Sequence, residues 1–240
     1  MGGLTRYCQK GLTNSSALSR LVRSCDILLP LTMSSSVDAE SVCIICYASV
    51  PPPIQSGCAC RSDSGLAHVD CLIAKAVSQQ AHRGNKVWCK CQTCGQHFTG
   101  AMRTGLAEAW WSRVCDEAEE SAERLAAAGN LADARDGDGQ YAEAERINRE
   151  VLDATRRVLG EEHSSTLKSA NNLASSLTCQ GKHADAERIH REVHSVQRRI
   201  LGEEHPDTLT SVYHLAMSLC SQGKHAEAER IDREVLGYGM

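Results

Sequence analysis

The stretch GKHADAERIHREVHSVQRRILGEEHP, residues 181–206, decides most of the fold, because the chain repeats it at a fixed spacing. Aligning the 240 residues on themselves at a period of 42 brings Leu125, Leu167 and Leu209 into register. Leu131-Ala132, Leu173-Ala174 and Leu215-Ala216 then coincide, and Gly139, Gly181 and Gly223 are each followed by an Ala-x-Ala-Glu-Arg-Ile run. The joining segment recurs as Leu159-Gly160-Glu161-Glu162-His163 and Leu201-Gly202-Glu203-Glu204-His205. Each unit reads as two helices, the first closed by its Gly in a left-handed cap and the second running to the Leu-Gly pair. A helical hairpin of this size cannot bury its apolar side alone, so neighbouring units must stack. The pattern places repeats over 125–240, as 125–166, 167–208 and a truncated 209–240.

Composition agrees with a helical core. Aromatic residues make up 4% of the chain, so the core must be built from Leu, Ala, Val and Ile, which suits helices better than sheets. The 42% hydrophobic and 23% charged content excludes a chain that is disordered throughout. The longest apolar run, Ile27 to Leu31, is broken by Pro30 and falls far short of the roughly 20 residues of a membrane span. Residues 1–100 carry 9 basic and 5 acidic side chains against 17 and 25 in residues 101–240, so two units with different partners are expected. A charge of +4 without a basic stripe does not support nucleic-acid binding. Met1 to Ser24 holds Arg6, Lys10, Arg20 and Arg23 and no acid, yet lacks the apolar stretch of a secretory signal. Residues 1–37 therefore read as a disordered leader of a cytoplasmic protein, with an organelle-targeting peptide or a start at Met33 as alternatives.

The second decisive pattern lies between the leader and the repeats. Seven cysteines and one histidine fall into four pairs: Cys43-x2-Cys46, Cys58-x-Cys60, His68-x2-Cys71 and Cys91-x2-Cys94. Two such residues separated by two others can present both side chains to one ion from a tight turn, and zinc takes four thiolate or imidazole ligands. Eight ligands make two closed, structural Zn2+ sites; a disulfide framework is disfavoured without a secretory signal. Cys89 lacks the two-residue spacing to Cys94 and reads as spare, while Cys8, Cys25, Cys115, Cys179 and Cys220 read as packing or surface residues. A Cys220–His225 catalytic pair has no orienting acid at recognisable spacing, so no catalytic residue is assigned.

Four Cys, one His and three Cys in this order resemble the RING-CH (RING-variant) finger, with the plant homeodomain finger as competitor. One residue between Cys58 and Cys60 and seven between Cys60 and His68 favour RING-CH. The resemblance implies cross-bracing over a finger spanning 38–98: Cys43, Cys46, His68 and Cys71 on one zinc, and Cys58, Cys60, Cys91 and Cys94 on the other. It implies further that the finger recruits a charged ubiquitin-conjugating enzyme, with Ile45, beside Ile44, in the docking groove. The family's Trp four residues after the sixth ligand is replaced by Lys75, which removes a hydrophobic anchor. Trp88 is the candidate substitute, although core packing is the preferred role for it. Pro51-Pro52-Pro53 reads as a stiff spanning loop and Leu66 to Ala81 as a short helix.

The repeat pattern, Gly181-x2-Ala184-x-Ala186-Glu187 through Gly202-x2-His205-Pro206, resembles the tetratricopeptide repeats of kinesin light chain. Ala144, Ala186 and Ala228 stand where those repeats need close helix contact, and Asn148, His190 and Asp232 replace the usual aromatic, which predicts looser packing there. The resemblance implies a partner groove with Lys168, Asn171, Ser175 and Tyr213 on its wall. Thr99 to Ala128 reads as mostly helical, with residues 99–124 as a linker helix whose Trp110-Trp111 pair packs on the first repeat. The whole is expected to be a small α+β zinc finger followed by an all-α solenoid. Its expected function is that of a RING-CH-type ubiquitin ligase with a substrate or partner protein on the repeats. The alternative is a non-catalytic scaffold, which Lys75 favours; a histone-tail reader is disfavoured by the finger's spacings.

Overall fold

The computed structural model describes residues 41–58, 60 and 65–235, with side chains as far as Ile231. The leader, Cys8, Cys25 and the side chain of Asp232 lie outside the described residues. The chain divides into two compact units, 1–117 and 118–240. Among the described residues no helix is long and apolar enough to cross a membrane.

In the first unit, strands β1 (Ile54–Gln55) and β2 (Leu66–Ala67) pair antiparallel, Ile54 opposite Ala67. Helix α1 (Val69–Arg83), a single 3-10 turn (Asn85–Trp88) and α2 (Gly100–Val114) follow. Leu66 and Ala67 were expected in the helix; they are strand instead, because their backbone is used sideways. The Leu66 carbonyl accepts from the Ile44 amide, and the Ser56 amide donates to Gly65. Helical geometry begins only after His68, which stays extended (φ −76°, ψ 144°).

The core of this unit is Trp88, Phe98, Met102, Leu106, Trp110 and Trp111, all buried. The rings of Trp88 and Trp110 stack with centroids 6.0 Å apart and planes 4° from parallel, a pairing that adds about 0.5–1.5 kcal/mol to the burial itself. Trp110, expected to pack on the first repeat, has a ring partner within its own unit. Burial also removes Trp88 as a docking anchor, since it is 0% exposed. The segment read as a linker thus begins with a helix that completes the first unit's core.

The second unit is three antiparallel hairpins: α3 (Ala122–Gly137) with α4 (Tyr141–Leu159), α5 (Ser164–Cys179) with α6 (His183–Leu201), and α7 (Pro206–Ser221) with α8 (His225–Val235). Gly139, Gly181 and Gly223 close the first helix of each with φ of 75°, 77° and 73°, the left-handed cap that the spacing predicts. His163 and His205 start α5 and α7 by accepting the amides of Ser165 and Asp207, and Pro206 opens α7 where a helix has no use for an amide proton. Ala144, Ala186 and Ala228 are buried, allowing close helix approach.

The looser packing expected four residues on is not found at Asn148 and His190, which are 1% and 2% exposed. Polar pairing fills the space that an aromatic ring would take. Asn148 donates to Ser176 Oγ at 3.0 Å, and Ser176 donates to Asp136 at 2.7 Å. His190 Nδ1 lies 3.2 Å from Asn171 Oδ1, and its ring stacks on His214 at 5.4 Å. Burial, with help from His214, holds the His190 imidazole down at about 4, so the ring is neutral at physiological pH.

Adjacent hairpins are joined by a repeated carboxylate clamp. Glu145 on α4 accepts from Gln180 and Lys182, both at 2.7 Å, and from Arg149. One period later Glu187 on α6 accepts from Gln222 and Lys224, both at 2.7 Å, and from Arg191 at 2.8 Å. The Gln amide also donates back to the carbonyl that begins the preceding second helix, Tyr141 or His183.

Candidate functional site

Two groups of four donor atoms form in the first unit. Cys43, Cys46, His68 and Cys71 make one, and Cys58, Cys60, Cys91 and Cys94 the other, with all donors of a group within 4.8 Å of one another. Chain order alternates between them: first pair and third pair in one group, second and fourth in the other. The structure thus brings together the two sets that the resemblance implied, and either set could hold a metal ion.

Local geometry aims the donors. Each Cys-x2-Cys segment folds back on itself, the Tyr47 amide donating to the Cys43 carbonyl and the Gly95 amide to the Cys91 carbonyl, both at 2.9 Å. The fourth residue after the first cysteine must then turn left-handed. Gly95 does so at φ 74° without strain, and Tyr47 at φ 59° with it. The amides of Ile45 and His68 point at Cys43 Sγ, at 3.5 and 3.4 Å. His68 turns Nδ1 toward Cys46 Sγ (3.3 Å) and Cys71 Sγ (3.6 Å). Its Nε2 faces the Pro51 carbonyl at 2.5 Å, the arrangement that fixes a ligating tautomer. The proline loop therefore does more than span.

The dimensions suit a small tetrahedral ion. Metal–sulfur bonds of about 2.3 Å give a tetrahedron edge of about 3.8 Å, and Cys60 Sγ lies 3.7 Å from Cys91 Sγ. The thiols also disturb one another. Burial works against ionising Cys43, but amides of Cys46, His68 and Ile45 overcome it and bring the thiol down to about 6. Competition from Cys58 and Cys91 pushes Cys60 up to about 12, and burial with Cys46 and Cys43 does the same to Cys71. Sulfurs this close ionise together only around a cation. Cys89 belongs to neither group, and its thiol donates to the Lys86 carbonyl.

Ile44 is 40% exposed and Ile45 half-buried. Ile44, not Ile45, lines a shallow depression shared with Leu72, Lys75, Lys90, Gln92 and Phe98. Sequence reasoning missed Lys90 and Gln92 here, although Gln92 sits inside the last Cys-x2-Cys and is visible there.

In the second unit Lys168, Asn171 and Ser175 follow one face of α5, and Tyr213 stands 62% exposed on α7. Asn171 and Tyr213 are linked through the His190–His214 stack, Tyr213 meeting His214 edge-on at 5.7 Å. Lys168 and Ser175 are exposed. His190 and His214 were not read as groove residues; the 42-residue register places His190 at the aromatic position, which was the available signal.

Comparison with known proteins bears on the second unit. Residues 123–188 and 165–237 match the tetratricopeptide repeat family. No curated protein matches the chain. Among solved structures, a kinesin-light-chain-type protein of Podosopora anserina with nearly identical TPR-like repeats is similar at TM-score 0.51 and 23% identity, covering 70% of this chain and 84% of that one. BtubC (BKLC) of P. vanneervenii is similar at TM-score 0.52 and 17% identity, covering 70% of this chain and 63% of that one. At these identities the likeness is one of fold. Residues 123–237 are tetratricopeptide repeats with kinesin-light-chain-like structural neighbours, the kind of array that takes part in protein interaction.

Proposed function

We propose that the chain is a RING-CH-type ubiquitin ligase: a finger closed by two structural zinc ions recruits a charged conjugating enzyme, and the repeats recruit the substrate. The proposed ligands are Cys43, Cys46, His68 and Cys71 for one zinc and Cys58, Cys60, Cys91 and Cys94 for the other. The observation that carries this reading is the alternation of the two donor groups along the chain. The donors of the two groups interleave between residues 43 and 94, so each ion would tie together segments distant in the chain, and zinc would supply folding free energy to a unit whose strands are two residues long. Bound zinc would have no open position, and its chemistry would be structural. The chain's own residues would act by holding the conjugating enzyme at the Ile44–Lys75 depression while Lys168, Asn171, Ser175 and Tyr213 contact the partner on the repeats. Positioning of this kind accelerates transfer without a catalytic side chain.

Single-turnover discharge of ubiquitin from a panel of charged conjugating enzymes tests it. Acceleration by the full chain, lost on zinc chelation and in Ile44→Ala or Ile45→Ala, supports the reading. No acceleration by protein holding two zinc ions sinks it. A non-catalytic scaffold is then the second reading, favoured by Lys75 at the depression where an apolar anchor would serve docking better.

A further inference from the structure

The 42-residue register breaks at one buried place in the repeats. Leu152 of α4 packs in a single core cluster with Leu167, Leu173 and Ile189. One period on, Leu215 and Ile231 cluster only with residues of their own α7–α8 hairpin, because His194 of α6 stands at the position of Leu152. A cavity of about 250 Å³ is left there. Among the described residues Leu215 and Ile231 supply its apolar lining, and His194, Arg198, Thr208 and Arg230 most of its polar lining. Thr166 Oγ1 donates to the Gly160 carbonyl at 2.8 Å. Its counterpart Thr208 is 1% exposed, and its Oγ1 has no partner among the described residues. A buried hydroxyl in that state costs stability unless a group inside the cavity meets it. Ser211 Oγ gives its proton to the Thr208 carbonyl at 2.7 Å. His194 Nδ1, 3.3 Å from the same oxygen, is therefore the protonated ring nitrogen, and Nε2 keeps a lone pair. Three guanidiniums meet one carboxylate in the lining: Arg191 is held by Glu187 and Glu227 outside it, and Arg198 by Glu203 within it. By helical phase Thr208 and Leu215 lie on the side of α7 away from Tyr213, so the cavity is separate from the partner groove.

We propose that this cavity is a binding site for a small phosphate monoester with a short apolar body. A visiting carboxylate would do no more for Arg198 than Glu203 already does. A phosphate monoester carries a charge of about −1.5 to −2 at pH 7 and three terminal oxygens, enough to engage Arg198, Arg230 and the Thr208 hydroxyl together. When it is singly protonated, its remaining proton goes to His194 Nε2, a contact that a carboxylate cannot make. The apolar body lies on Leu215 and Ile231. The cavity is smaller than the roughly 300–1,000 Å³ of sites for drug-sized ligands, so the body is no larger than one ring. The site uses nothing of the finger and stands apart from the ligase reading.

Isothermal titration calorimetry of the full chain tests the proposal, with phenyl phosphate as the probe beside inorganic phosphate, phenylacetate, benzyl alcohol and a phosphoserine peptide. Phenyl phosphate should bind saturably, about fivefold or more tighter than inorganic phosphate and about tenfold tighter than phenylacetate, with benzyl alcohol silent. Arg230→Gln should weaken it about tenfold and Thr208→Val about threefold. Glu203→Gln, which releases Arg198, should tighten it about threefold. His194→Leu restores the residue of the preceding interface and closes the cavity, so binding should vanish while the chain unfolds at or above the parent's temperature. That last readout separates a filled cavity from a damaged fold. No saturable binding by the parent overturns the proposal. So does binding that survives both His194→Leu and Arg230→Gln, which is adventitious pairing with surface arginines only. Phenylacetate bound as tightly as phenyl phosphate overturns the choice of phosphate, and a phosphoserine peptide that binds where phenyl phosphate does not overturns the choice of a small molecule.

Discussion

Glu187 offers the clearest energetic test of how the hairpins hold together. Its carboxylate joins α6 to the α7–α8 hairpin through Gln222 and Lys224, and its side chain is 11% exposed. The Lys224 ammonium, against the cost of burial, and then Gln222 and Arg191, hold it at about 2 instead of 4.5. Taken at face value, a depression of that size stabilises the fold at neutral pH by about 3 kcal/mol. Arg191 and Lys224 are themselves 41% and 45% exposed, so solvent screening brings the expected figure to about 1–2 kcal/mol. The folded pKa is depressed, so the stabilisation is fully present above about 4.5 and disappears as pH falls toward about 2. Glu187→Gln keeps the volume and removes the charge. Urea unfolding of the full chain, with hydrogen exchange followed on α7 and α8, should show a loss of about 1–2 kcal/mol at pH 7, confined to the last hairpin. The gap between variant and parent should close near pH 2, and Lys224→Met should be nearly silent in the Glu187→Gln background. A gap that persists undiminished at pH 2, or none at pH 7, would refute the clamp.

Three further outcomes follow from the first unit. Tyr47→Gly relieves a left-handed residue that is 78% exposed and packs little; a gain of about 0.5–1 kcal/mol is expected, read as slower zinc loss to a chelator. Trp88→Ala empties a site that is 0% exposed and stacked on Trp110; a loss of about 3–5 kcal/mol should appear as metal release at lower urea. At Gly105 a Cβ would lie 2.5 Å from Val69 Cγ1; Gly105→Ala should cost about 1–2 kcal/mol despite better helix propensity, and Val69→Ala in the same chain should recover most of it.

The repeats were legible because their period is carried by residues with a single physical use: Gly139, Gly181 and Gly223 cap, and Ala144, Ala186 and Ala228 permit close approach. The clamp was equally periodic, Glu145 with Gln180 and Lys182 recurring as Glu187 with Gln222 and Lys224. It went unread because its partners are some 35–37 residues apart and meet only once hairpins stack. Spacing marked the eight metal-donor residues, but which four share a site is a property of the folded chain. Leu66 and Ala67 were misread because an apolar pair at the start of a helical pattern carries no sign that its backbone is already engaged by Ile54 and Gln55. Tyr47 showed nothing either, since the left-handed turn there is imposed by the fold-back of Cys43-x2-Cys46, and only its counterpart Gly95 announces itself.

The measurement that bears most directly on the finger is zinc content of the purified full chain, with cobalt substitution to read the ligand types, in the parent and in Cys60→Ser. Interleaved sites require two ions per chain, one with three sulfurs and one nitrogen and one with four sulfurs. Because Cys58 and Cys60 lie inside the loop that Cys46 and His68 close, Cys60→Ser should empty its own site and weaken the other, leaving at most one ion per chain after mild chelation. One ion per chain in the parent, disulfides among the eight donors, or a Cys60→Ser protein that keeps its Cys43–Cys46–His68–Cys71 ion at full affinity would contradict the cross-braced finger.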